Sequence, residues 1–126
     1  MRKLANPVPR ARLLLSILAL LAGCGGASNA DVERGSSAAG QIVITRQACG
    51  SCHVIPGIEL ANGLVGPPLT QFASRQMIAG ALPNSPANLA AFLHSPQSVV
   101  KGGAMPDMGL SRREARDAAA YLLTLK

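Results

Sequence analysis

Three observations predict an all-α domain of about four helices over residues 39–126. Helix start and stop signals occur in four places, and no stretch alternates apolar and polar residues as a half-buried strand would. The connections are long and rich in Gly and Pro, notably Pro56 to Leu69 and Val100 to Leu110.

The first helix is expected over Ala39 to Ala48, with Ile42, Val43, Thr45 and Arg46 on mixed faces, leading into Cys49. Thr70 can cap a second helix running to about Ala79, in which Phe72, Gln76 and Ala79 recur at helical spacing and Gly80 is the stop. Ser85-Pro86 is an N-cap followed by proline in the first turn, and Leu89, Phe92 and Leu93 form an apolar stripe until Pro96 ends or bends the helix. Ser111 and Glu114 form a capping box before Ala115 to Leu125, where Ala118, Tyr121, Leu122 and Leu125 share a face.

The first 23 residues read as an export signal. Arg2, Lys3, Arg10 and Arg12 precede an apolar run of ten residues, Leu13 to Ala22, too short for the roughly 20 residues a membrane-spanning helix needs. Leu21-Ala22-Gly23-Cys24 resembles the lipobox of bacterial lipoproteins, so Cys24 is expected as a lipidated first residue; an ordinary cleavage site beside a free cysteine is the alternative. A lipid there would hold the protein on a membrane surface, each buried methylene contributing about 0.8 kcal/mol. Residues 24–38 follow as a lipidated N-terminus and flexible linker of small and polar residues, with an r.m.s. span of roughly 20 Å.

Of twelve basic residues, four lie in the signal, leaving eight against six acidic ones. The alkaline pI therefore belongs largely to the signal, and basic charge gives no support to nucleic-acid binding.

The most informative residues are Cys49-Gly50-Ser51-Cys52-His53. Cys-x-x-Cys-His attaches haem c: two thiols add to the vinyl groups of one porphyrin, and the adjacent imidazole reaches the iron. A thioredoxin-like pair would sit at the start of a helix after a strand, and a zinc site would need a second ligand pair. The only other Cys and His are Cys24 and His94. A haem would bring the large apolar element that a domain of about 88 residues with two Phe, one Tyr and no Trp lacks, so the haem-free form is expected to fold poorly.

With His53 as one axial ligand, the candidates for the other are Met77, His94, Met105 and Met108. Met105 is preferred because Gly102 and Gly103 let the backbone approach a porphyrin and Pro106 stiffens the exit. Met77 and Met108 are expected to fill core gaps, and His94 to sit as a solvated helix-end imidazole. Thioether opposite imidazole suits electron relay rather than oxygen activation.

These residues, with Gly66-Pro67-Pro68-Leu69, Met105-Pro106 and a last helix bearing Tyr121, resemble the small class I c-type cytochromes of bacterial electron-transfer chains. The resemblance covers about Ala39 to Lys126 and implies the class I cytochrome c fold around one covalent haem. It implies that the Pro67 carbonyl accepts a hydrogen bond from His53, that Leu69 packs on the haem, and that the first and last helices cross at Gly40 and Tyr121. Relatives often carry Trp where this chain has Phe92; Arg75 is a replacement partner for a propionate, or a solvated helix arginine.

The function expected is single-electron transfer between a redox donor and acceptor protein, on the extracytoplasmic side, with no catalytic residues. The alternative is a haem c subunit of a larger oxidoreductase such as a terminal oxidase or periplasmic dehydrogenase; a haem sensor or peroxidase comes third.

Overall fold

The structure is a computed structural model that describes residues 34–126. The signal, Cys24 and the linker as far as residue 33 lie outside the described residues.

Helix α1 is Ser37–Arg46, capped by the Ser36 side chain, which accepts from the Ala39 N–H. It therefore starts two residues before Ala39. The Ser36 N–H donates to Asp117 Oδ1 at 2.7 Å, and Asp117 is buried, so this entry to α1 is fastened to the last helix.

Helix α2 is Pro86–His94, with Ser85 accepting from the Asn88 N–H and proline in the first turn. Pro96 does more than end it: it opens a short helix α3, Pro96–Val99. Helix α4, Arg112–Leu122, carries the complete Ser111–Glu114 capping box and ends three residues before Leu125.

The helix expected from Thr70 to Ala79 does not form. In its place stand a 3₁₀ turn, Phe72–Ser74, and a two-residue antiparallel ribbon, β1 Met77–Ile78 paired with β2 Leu82–Pro83. Gln71 takes a left-handed φ of 53°, which breaks helical propagation from Thr70. The Asn84 side chain then donates to the Phe72 and Arg75 carbonyls at 3.0 Å each, and Ala73 N–H reaches the Leu125 carbonyl at 2.9 Å. Ala79 and Gly80, at φ 50° and 70°, turn the ribbon.

The core joins Val43 and Ile44 of α1, Leu89, Phe92 and Leu93 of α2, and Ala115, Ala118, Ala119 and Leu122 of α4. Alanines let α1 and α4 approach closely. Gly40 fits where any Cβ would strike the Asp117 carbonyl and lie 3.0 Å from Tyr121 Cβ. Tyr121 then donates to the Pro56 carbonyl at 2.8 Å, tying α4 to the first long loop. Among the described residues no helix is long and apolar enough to cross a membrane.

Candidate haem site

The motif is one tight turn. Ala48 is left-handed at φ 52°, Cys49–Ser51 form a 3₁₀ turn, and the Cys52 and His53 N–H groups both point to the Cys49 carbonyl, at 3.3 and 3.1 Å. Glycines then let the first long loop lie directly against it. Gly63 N–H donates to Gly50 O at 3.0 Å and Gly66 N–H to Cys52 O at 2.7 Å. A Cβ on Gly63 would strike the Ser51 carbonyl, and one on Gly66 the His53 ring.

That docking brings Pro67 to His53. Nδ1 of the imidazole lies 2.7 Å from the Pro67 carbonyl, which can only accept, so Nδ1 carries the proton and Nε2 is left with its lone pair. Cys49 and Cys52 form no disulfide with each other. Burial, joined by the neighbouring Cys52, raises the Cys49 pKa above the ordinary thiol value. A thioredoxin-type pair would open a helix after a strand, whereas this turn follows helix α1.

A cavity of about 310 Å³ opens beside the turn, lined by Cys49, His53, Pro67, Leu69 and Met105 with apolar side chains from every helix but α1. A second, of about 170 Å³, is lined by Cys49, Cys52, His53 and Pro67 together with Met105 and Met108. His53 and Met105 line both. A planar macrocycle with an apolar body fits this donor set: two thiols, one imidazole with a free nitrogen, a thioether lining the same space, and an almost wholly apolar wall. Among the described residues no group of three or more His, Cys, Asp or Glu stands ready for a bare ion. A porphyrin supplies four iron ligands itself, so one or two side chains suffice here.

The other candidates lie differently. Met77 is on β1 rather than mid-helix, exposed, at the edge of the larger cavity. Met108 borders only the smaller one. His94 is half-buried, not solvated: its Nδ1 lies 2.7 Å from the Leu110 carbonyl, and it lines neither cavity. Phe92 is buried and lines the larger cavity.

Two polar residues brace the walls. Arg75, off any helix, donates to the Pro68 and Thr70 carbonyls, and its guanidinium lies 5.3 Å from the Phe72 ring centre. Gln97, unremarkable in the sequence, donates to the Gly103 and Met105 carbonyls at 2.9 and 2.8 Å and so holds the Met105 loop to α3. Only the distance from Gln97 to the glycines, six residues, hints at that brace.

Two comparisons with known proteins bear on the family. The chain is 36% identical over 88 residues to cytochrome c oxidase subunit 2 of Alkalihalophilus pseudofirmus, a match covering 69% of this chain and 25% of that protein. The chain thus spans about a quarter of that relative's length. The sequence model of the Cytochrome c family matches residues 37–126, the stretch that holds the turn, both cavities and all four described helices. With its mostly helical build and single small ribbon, the class I arrangement accounts for every described element, and the chain belongs to the cytochrome c family.

Proposed function

We propose that this protein carries single electrons between redox proteins outside the cytoplasm, with one haem c bound through Cys49 and Cys52 and ligated by His53 and Met105. Family membership supports haem-based electron transfer. The observation that carries the finer reading is that His53, its Nδ1 engaged by Pro67, lines the same two cavities as Met105.

When bound, the haem supplies an iron that alternates between ferrous and ferric states. The chain's task is then to hold that iron still and dry. The Pro67 carbonyl fixes the His53 tautomer, leaving Nε2 as the donor to iron. Met105 offers a neutral thioether, which favours the ferrous state relative to stronger donors. Leu69, Phe72 and Leu93 keep water from the ring.

Leu60, Leu64 and Val65 are 84%, 88% and 80% exposed, and Val65 borders the smaller cavity beside Cys52. That apolar rim suits brief docking of a donor and an acceptor. Export and a lipid on Cys24, read from residues 1–24, would place these encounters at a membrane surface.

The test is the oxidised spectrum of the holoprotein. A sulfur-to-iron charge-transfer band present in wild type and absent in Met105→Ala is expected, whereas rapid carbon monoxide binding by reduced wild type would overturn Met105 ligation.

A second reading, a haem c subunit of a larger oxidoreductase, is favoured by the likeness to part of an oxidase subunit. Stable copurification with an enzyme complex from detergent-solubilised membranes would select it over a free carrier.

A further inference from the structure

Behind α2, on the side away from the haem cavity, lies a separate cavity of about 360 Å³. The two share no lining residue. Leu89, Phe92 and Leu93 of α2 face the haem cavity, while Ala87, Ala90 and His94 form the floor of the other. Its walls are Arg34, Arg112 and Arg116.

Among the described residues the charge here has no counter-charge. Among the described residues no carboxylate lines the cavity, and the two ion pairs there engage Arg46 and Arg113 instead. Arg112 and Arg116 stand one turn apart on α4, a spacing at which like charges repel. Arg116 Nε is shielded from solvent yet has no hydrogen-bond partner among the described residues. A buried guanidinium N–H without an acceptor is costly, and an anion in the cavity removes the cost.

We propose that this cavity binds a phosphate-bearing anion. Three guanidinium groups offer more donors than the two oxygens of a carboxylate can accept, whereas a phosphoryl group presents three or four oxygens to matching forks. The small alanine side chains leave depth for an organic ester behind the phosphoryl group. A free phosphate and a phospholipid headgroup share this chemistry.

Calorimetric titration of the full-length holoprotein in detergent tests it. Probes are inorganic phosphate, glycerol 3-phosphate, and dihexanoyl phosphatidylglycerol with the matching phosphatidylcholine as the zwitterionic control. Saturable binding is expected, with the dissociation constant raised about tenfold in Arg112→Gln and in Arg116→Gln. Arg116→Lys should weaken it too, because charge without the fork does not suffice. Arg113→Gln, the same charge change on the same helix but outside the cavity, should bind as wild type. Preference for inorganic phosphate or glycerol 3-phosphate identifies a soluble ligand, and preference for phosphatidylglycerol a headgroup. Absence of saturable binding by any probe, or equal weakening in Arg113→Gln, overturns the proposal. Arg112 is exposed, so the Arg112→Gln result stands even if Arg116→Gln folds poorly.

Discussion

The Pro67 carbonyl lies 2.7 Å from Nδ1 of His53, across fourteen positions of sequence. Neither residue alone determines that meeting. It depends on Gly63 and Gly66, whose lack of side chains lets the loop press against the Cys49–His53 turn. Ring orientation, tautomer and loop position are therefore one structural unit.

Gly66→Ala is expected to break that unit. Its methyl group would overlap the His53 ring, and overpacking of this kind costs about 1–3 kcal/mol. Denaturant unfolding of the holoprotein should show the loss, together with a weakened or shifted charge-transfer band. Wild-type stability and spectrum in this variant would mean that the loop yields without cost.

Gln97→Ala should loosen Met105 without unfolding the domain. It removes two hydrogen bonds to the loop carbonyls, worth together about 1 kcal/mol at an exposed site, or about a fivefold change in an equilibrium. On the proposed ligation, imidazole added to the oxidised protein competes with Met105, so its apparent affinity should rise by about that factor. An unchanged affinity would show that the loop holds Met105 by itself.

What was legible in the sequence was local. Ser85-Pro86 and Ser111 to Glu114 specify helix starts within four residues, and both helices begin there. The Cys49–His53 turn is likewise contiguous. Thr70 to Ala79 misled because its helical spacing is real, while the interactions that defeat it are remote: Asn84 on Phe72 and Arg75, and Leu125 on Ala73. Gln97 and the cationic cavity were invisible for the same reason. Arg34, His94, Arg112 and Arg116 form no motif until α2 and α4 pack side by side.

The capping box makes stability depend on pH. Hydrogen bonds from Ser111, its side chain first and its backbone N–H second, and then Arg46 hold the Glu114 carboxyl below its ordinary pKa. A carboxylate lowered on folding stabilises fully above its unfolded value of about 4.3, and that contribution is lost as pH falls through the folded value. The stability difference between wild type and Glu114→Gln should thus be flat above about pH 5 and shrink below it. A difference independent of pH down to acid unfolding would rule out this linkage.

At Gly40 two opposing effects can be compared by size. Alanine favours a helix over glycine by about 1 kcal/mol, yet its methyl group would overlap the Asp117 carbonyl and press on Tyr121. Separating α1 from α4 exposes part of the main helix contact and adds strain of about 1–3 kcal/mol, so the clash should win. Gly40→Ala is expected to lower the denaturation midpoint with an unchanged m-value. A raised midpoint would mean that α1 and α4 can part without loss.

Removing the haem should cost more than any of these substitutions. The haem would cover the apolar wall of a cavity of about 310 Å³ formed by side chains from three helices, and a domain of this size has little other apolar burial to replace it. Partial collapse of the walls would reduce that cost, but Leu89, Phe92 and Leu122 would have to leave their α2–α4 contacts to fill the space. A Cys49→Ala, Cys52→Ala form isolated without haem is therefore expected to lose most of its helical circular dichroism and its cooperative unfolding transition. Native helix content in that form would show that α1 and α4 support the domain alone.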